Sequence, residues 1–525
     1  MGRTNAFSRL ARTLRIARWC DDQDLPSREG VEKTLDLERR ALLSRREVLT
    51  GLAATGALAA LPPLALGRPQ GSLDVGIVGA GLAGLACADR LRARGVVASV
   101  YEASDHVGGR CFSLRGFFPG QVAERGGELI DNLHKTMLGY ANAFKLARED
   151  YEKHPGEVFY FFDGIRHDEA AVVDEYRAFN AAMRADLQQM SAEPTADSFN
   201  EFDAVLDRMT IAEYLETRGA GPLLRAVLGE AYLGEYGREL DEQSCLNMLL
   251  FVKVDKRSRF MPFGVSDERY HLVNGNDAIA LGIAAGLSKP VEHGLFLVRV
   301  HKTSGGRIEL TFKQGSRTVV RAHDAVVLTI PFSVLRTIDL DASLELPSWK
   351  LSAIKQLGYG TNAKQAVAFN GPFWNQLGSS GSSYSNLEDH QITWETNHSR
   401  ATSSRAILTD YASGDRGAGM NPQNVQQEAD LFVTALDQVF PGALANATRV
   451  SGNYLAHIDH WLSNPLALGS YTCYLPGQFT TIAGNEGKPV GNLFFAGEHA
   501  NSFYVWQGFM EGAALSGIDA ANALL

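Results

Sequence analysis

The sequence predicts a two-domain α+β and α/β fold: a domain opened by a βαβ unit and interrupted by an inserted, mixed helical and strand-rich second domain, on three observations. An apolar strand, Val75-Gly76-Ile77-Val78, runs into Gly79-Ala80-Gly81-Leu82-Ala83-Gly84 and then into an apolar helix pattern. From about Asp131 to Met261 apolar residues recur at three- and four-residue spacing. Between His293 and Ile330 short β-rich runs alternate with glycine turns and end at Pro331.

The first of these is the opening βαβ unit of a dinucleotide site. Gly79 lets the chain turn sharply out of the strand, Gly81 lets backbone approach a pyrophosphate, and Gly84 lets the helix pack closely on the sheet. The helix carries Leu85, Ala88 and Leu91 on one face, and a second strand, Val96 to Val100, leads into Tyr101-Glu102. Glu102 falls about twenty residues after the glycines, where a ribose hydroxyl needs an acceptor. Two further segments choose the dinucleotide: Val107-Gly108-Gly109-Arg110, then Glu124-Arg125-Gly126-Gly127-Glu128. A nicotinamide-dependent dehydrogenase has no need of this second glycine pair and arginine.

On these segments the chain resembles the flavin-containing amine oxidase family, which includes monoamine, polyamine and L-amino acid oxidases. The resemblance implies a Rossmann-like FAD-binding domain with a glutathione-reductase-like sheet, an inserted mixed substrate-binding domain and a helical subdomain. It implies FAD bound along its full length, with Gly109 and Arg110 at the diphosphate and Gly126, Gly127 and Glu128 beside the isoalloxazine. The pattern shifts then give a discontinuous FAD-binding domain at 70–130, 265–340 and 485–525, and helical and substrate-binding regions at 131–264 and 341–484.

Within the helical region Tyr176, Phe179, Met183 and Leu187, and later Ile211, Tyr214 and Leu215, define core-facing stripes. The strand-rich block reads as Leu295 to Val300, Ile308 to Phe312, Val319-Val320 and Ala325 to Ile330, separated by Ser304-Gly305-Gly306 and Gln314-Gly315 turns. By the resemblance, Leu297 presents its backbone to the adenine.

Composition agrees. A chain of 525 residues, 45% hydrophobic and 21% charged, holds two or three domains, and its net charge of -10 gives no footing for nucleic acid. Arg9, Arg12, Arg15 and Arg18 cluster near the start, but Asp21, Asp22 and Asp24 offset them. A helix with Leu10 and Leu14 packed on the body is favoured there over a membrane-surface helix. The five cysteines, Cys20, Cys87, Cys111, Cys245 and Cys473, lack C-x-x-C spacing and indicate neither a metal site nor a disulfide framework.

After an extension over 1–43, residues 44–67 resemble a twin-arginine export signal: Ser44-Arg45-Arg46-Glu47-Val48-Leu49, then an Ala- and Gly-rich apolar run to Leu61. That run falls short of the roughly 20 strongly apolar residues needed to span a bilayer, so no stable membrane span is expected. Export to the periplasm or medium is expected, although 44 residues ahead of Arg45 exceed a usual leader, and a cytoplasmic location is the alternative.

Candidate chemistry lies in the second half. Tyr359 to Lys364 run into an alternating strand, Gln365 to Phe369; on spacing alone the lysine is a solvated strand end, but in the family the matching lysine reaches the flavin N5 through a water and assists reoxidation by O2. Leu468-Gly469-Ser470-Tyr471, Ala496-Gly497-Glu498-His499 and Trp506-Gln507-Gly508-Phe509-Met510-Glu511-Gly512 match the family's most specific blocks. By that match Glu498 serves the ribityl or diphosphate end and the Met510 amide, at a helix start, faces the pyrimidine carbonyl. Tyr471 and Phe509 flank the amine as an aromatic slot, with Trp506 close to its wall. Ser470 stands where some monoamine oxidases attach the flavin through cysteine, so noncovalent FAD is expected; Phe509 replaces the more usual Tyr or Trp.

The expected activity is FAD-dependent oxidation of an amine to an imine, hydrolysed to a carbonyl compound and ammonia, with O2 reduced to H2O2, and a homodimer is the expected assembly. An L-amino acid oxidase is the alternative: the arginine that commonly holds the substrate carboxylate in such enzymes is replaced here by Glu128, Asp131, Asn132, His134 and Lys135, which counts against it, while Lys135, Arg257 or Arg259 remain candidates for the anchor and keep it open. Glu128 and Asp131 either touch the amine or orient Arg125. A flavin-binding scaffold without turnover is the reading from another class.

Overall fold

The computed structural model describes residues 5–35, 73–154, 156–254, 268–501 and 506–525. The signal-like segment 44–67, Arg257 and Arg259 lie outside the described residues. A parallel sheet of four strands, in the order Ser99–Tyr101, Val75–Val78, Ala325–Leu328 and Leu493–Phe495, draws on three separate stretches of chain. Val75–Val78 and Ala325–Leu328 are buried throughout, with Val75, Ile77 and Val327 packed on a helical layer and Val78, Val326 and Leu328 in the core that holds Val300, Leu310 and Phe312. The strand expected from Val96 begins only at Ser99, where pairing with Gly76 starts, and Val97 is left exposed. Helices Leu82–Arg92 and Met510–Leu524 cross closely because Gly517 has no side chain: a Cβ there would stand 2.0 Å from the Ala83 carbonyl oxygen. The antiparallel meander Phe296–Lys302, Ile308–Gln314 and Arg317–His323 forms as its turn glycines predict.

The second sheet has seven strands in the order Ala456–His460, Ala363–Phe369, Ala406–Ala412, His390–Glu395, Ser379–Leu387, Glu157–Phe162 and Ile165–His167. Two of them correct the wholly helical reading after Asp131. Val158 to Phe162 is an aromatic run suited to a pleated, buried surface, and Asp163-Gly164, at φ +53° and +76°, makes the two-residue turn that pairs Phe162 with Ile165. Helical patterning resumes at Glu169–Gln189, capped by Asp168, and continues through Glu201–Arg208 and Ile211–Thr217, each opened by a capping box.

The N-terminal helix Asn5–Gln23 packs against this half of the molecule. Ile16, Ala17 and Cys20 are buried in the large core, Leu14 packs on its edge, and the Thr13 hydroxyl donates to Glu169 at 2.6 Å. Arg177 secures the following turn by donating to the Leu25 carbonyl at 2.8 Å. Among the described residues, no helix is long and apolar enough to cross a membrane.

Candidate active site

One cavity of about 490 Å³ runs from the glycine turn of the parallel sheet to the face of the seven-stranded sheet. At the first end Gly79 adopts φ +105°, and a Cβ on Gly84 would lie 1.9 Å from the Gly79 carbonyl oxygen, so neither position accepts a side chain without movement. Gly81 faces open space instead: its nearest neighbour in that direction is the Gly108 carbonyl oxygen, 3.9 Å from where a Cβ would be. Glu102 closes this end, accepting the Ala80 N–H at 2.7 Å and the Ser104 N–H at 2.8 Å. Leu295, Phe296 and Leu297 line the same end.

Midway, Gly109 turns at φ +60° and Arg110 crosses the cavity wall, donating to Glu498 at 2.8 Å and to the Ser470 carbonyl at 2.7 Å. Burial pushes the Glu498 carboxyl up, but Arg110, together with His499 and the Thr472 hydroxyl, outweighs it and holds the group below the usual carboxylate range. Gly126 and Gly127 pass directly against their neighbours. A Cβ on Gly126 would meet the Arg110 carbonyl oxygen at 1.8 Å, and one on Gly127 would meet Met510 at 2.9 Å. Met510 opens the C-terminal helix, so its backbone N–H belongs to the first turn, whose donors have no partner within the helix.

At the far end Lys364, on Ala363–Phe369, donates to the Gly126 carbonyl at 2.7 Å and to Glu128 Oε2 at 2.5 Å. Trp394 Nε1 donates to the other Glu128 oxygen at 2.8 Å. Strand register brings Tyr411 opposite both Lys364 and Ile392. The Tyr471 hydroxyl donates to the Gly234 carbonyl at 2.9 Å, so the Tyr411 hydroxyl, 2.8 Å away, donates to Tyr471. Trp394, Tyr411, Tyr471 and Phe509 all line the cavity; Trp506 does not, and stands edge-on behind Phe509 at 6.2 Å.

Of the residues predicted to hold the cofactor, flank the amine or assist reoxidation, all but Gly84 and Trp506 line this one cavity, with two corrections to expected partners. Arg125 is not oriented by Glu128 or Asp131; it donates to Asp459 at 2.6 Å and lies over the Phe112 ring. Glu128 serves Lys364 and Trp394 instead, while Asp131 accepts the Leu133 N–H at 2.7 Å. Lys135 is exposed and does not line the cavity. Ser470 lines it and donates to Asn362 at 2.5 Å, whereas Cys473 is buried away from it beside Asn247. Trp394, Tyr411 and Asp459 went unnoticed in the sequence, because only strand register carries them to the site.

The sequence profile of the family described as flavin containing amine oxidoreductase matches residues 82–525. The chain belongs to that family. A putative L-amino-acid oxidase of Bacillus subtilis, YobN, is 25% identical over 460 residues, covering 85% of this chain and 93% of its own length. Polyamine oxidase 4 of Oryza sativa subsp. japonica is 27% identical over 468 residues, covering 85% and 87%. In fold, this amine oxidoreductase superposes on cyclohexylamine oxidase from Brevibacterium oxydans with a TM-score of 0.72 at 20% identity, covering 86% of this chain and 99% of that one. Putrescine oxidase gives 0.71 at 20%, covering 87% and 99%. The cofactor is FAD. The residues present fit it: the open space above Gly81, the acceptor at Glu102 and the side-chain-free passage at Gly126-Gly127 lie along one elongated cavity.

Proposed function

We propose that the chain oxidises an amine with O2: amine, O2 and water give a carbonyl compound, ammonia and H2O2, with the imine hydrolysed after it forms. The observation that carries this reading over amino acid oxidation concerns charge. Each lysine and arginine among the described residues lining the cavity already has a carboxylate partner: Arg110 with Glu498, Arg125 with Asp459, and Lys364 with Glu128. A substrate carboxylate entering this space finds no free cation there and meets Glu128 and Glu268 instead. Aromatic faces suit an amine, because their negative charge density attracts a cationic nitrogen on approach.

FAD, when bound noncovalently, supplies the two-electron redox chemistry. Gly79, Gly81, Gly84, Glu102, Gly109, Arg110, Leu297, Gly497, Glu498 and Met510 would hold it, and Tyr471 and Phe509 would align the amine. Lys364, with two of its three donors fixed, keeps one to donate to a water in the cavity and would assist the return of electrons to O2. L-amino acid oxidation is the second reading, favoured by the names of the Bacillus relative and of the L-amino-acid oxidase of Pseudechis australis. We further propose that the Arg45-Arg46 segment directs export.

The test is stoichiometry on purified, FAD-loaded protein with primary amines, polyamines and L-amino acids. Equimolar O2 uptake, H2O2 and ammonia with amines supports the reading. Turnover confined to L-amino acids replaces it with the second, and no turnover in any class leaves a flavin-binding scaffold.

A further inference from the structure

Directly behind the slot lies a histidine that the reading above does not use. His134 precedes the helix Lys135–Ala143 and is 0% exposed. Its Nδ1 accepts the Asp131 N–H at 3.1 Å, which puts the proton of the neutral ring on Nε2. Burial pushes its pKa down to about 4 against the pull of Asp131, so the ring is uncharged at neutral pH. Nε2 is itself buried and has no hydrogen-bond partner among the described residues. The imidazole ring has two aromatic neighbours, measured between ring centroids: Trp506 at 4.7 Å and 78°, and Phe509 at 5.3 Å and 71°. Trp506 and Phe509 in turn meet at 88°. Three rings thus stand mutually edge-to-face, a favoured aromatic geometry, and of the three only Phe509 reaches the cavity.

The segment carrying His134 is locked to the segment carrying Phe509 by a second contact. Glu511, in the first turn of the C-terminal helix, accepts the Thr136 and Met137 N–H groups, each at 2.9 Å. The imidazole is therefore anchored at Nδ1, its backbone is clamped to the helix that Phe509 caps, and its ring packs edge-to-face with Trp506 and Phe509.

We propose that His134 is a positioning residue for substrate choice: its ring, wedged between Trp506 and Phe509, fixes the plane of Phe509 and so sets the width of the slot opposite Tyr471. This rests on the oxidase reading for the choice of substrates and for Tyr471 and Phe509 as the walls of the slot. A slot of fixed width discriminates by thickness, so it admits a flat ring and penalises a puckered one of the same connectivity. With His134 truncated, Phe509 gains room to move back and that discrimination falls.

The experiment compares benzylamine with cyclohexylmethylamine, a flat and a puckered ring on the same aminomethyl group. It uses the FAD-loaded wild type, His134→Ala, His134→Leu and His134→Phe, each checked for FAD content and visible spectrum. The kcat/KM ratio of benzylamine to cyclohexylmethylamine is expected to fall about tenfold in His134→Ala, to fall about threefold or more in His134→Leu, and to stay within about twofold of wild type in His134→Phe, which keeps a flat wedge. Binding of benzyltrimethylammonium, read from the flavin spectrum without turnover, is expected to weaken about tenfold in His134→Ala and to be retained in His134→Phe. Ratios within about twofold in both His134→Ala and His134→Leu, or a His134→Phe variant as impaired as His134→Ala, overturn the proposal. If His134→Ala does not fold, the Leu and Phe variants decide alone. If wild type oxidises neither amine, the functional reading has failed separately; the L-phenylalanine to L-cyclohexylalanine ratio and the benzyltrimethylammonium titration then decide the role of His134.

Discussion

The two ends of the cavity are built on opposite principles. Around Gly79, Gly81, Gly84 and Glu102 the wall is backbone: glycines whose missing side chains define the space, and one acid held by N–H groups of its own βαβ unit. Around Lys364, Tyr471 and Phe509 the wall is side chains: aromatic rings, and charges neutralised by partners hundreds of residues away in the chain. The comparison teaches that a cofactor common to a family is held by what the backbone leaves open. On the proposed reading, substrate choice would be held by side-chain pairings across the fold.

The strongest challenge to this contrast is Glu128→Ala. Lys364 and Glu128 side chains are 9% and 4% exposed, so removing the carboxylate leaves a buried ammonium without its counter-charge, at a cost of about 3–5 kcal/mol. Urea unfolding of the holoenzyme would show it, and Glu128→Gln, which keeps an acceptor, is expected to lose less. A change as small as that from an exposed ion pair would mean the two charges are not dependent on each other.

At the backbone end Gly84→Ala forces a Cβ to 1.9 Å from the Gly79 carbonyl oxygen, an overpacking of about 1–3 kcal/mol. The expected sign is purified protein depleted of FAD, read from absorbance near the flavin band, with the seven-stranded half still folded. A fully yellow Gly84→Ala protein of normal stability would show that the turn yields more easily than its geometry implies.

Outside the cavity lining lies a buried imidazolium. His271 bonds Glu149 at 2.6 Å and Glu124 at 2.9 Å, and although burial works against the charge, the two carboxylates push its pKa up to about 10. The folded value exceeds the unfolded one of about 6.5, so this stabilisation is complete below that pH and is lost as pH rises toward 10. The urea midpoint is expected to fall across that window in wild type, and to fall less in His271→Gln. Parallel curves for the two proteins would remove His271 as the cause. The smallest effect expected is that of Phe509→Tyr, which restores a hydroxyl at a ring only 7% exposed: kcat/KM changes by less than about threefold.

The same division explains what could be read from the residues. The glycine turns, Glu102, Arg110 and the Met510 helix start are local features, each requiring its residue type within one βαβ unit or one turn. Lys364 was visible only by resemblance, and its partner Glu128 was assigned elsewhere, because nothing local says that residues 236 apart in sequence will pair. Tyr411 and Trp394 depend on register between strands whose order is set by the whole sheet. The strand Glu157–Phe162 was legible, since Asp163-Gly164 between two β-rich runs is a strong hairpin signal, but the helical periodicity around it obscured it.

The central claim is that the described cations of the cavity are all paired, so the site takes an amine and not its carboxylated counterpart. Phenethylamine and L-phenylalanine differ by one carboxylate, and comparing their kcat/KM on the FAD-loaded protein at one pH tests the claim most directly. The account predicts faster oxidation of phenethylamine by at least about tenfold, the scale set by an unpaired buried charge. Faster oxidation of L-phenylalanine would contradict it and would mean that a cation receives the substrate carboxylate.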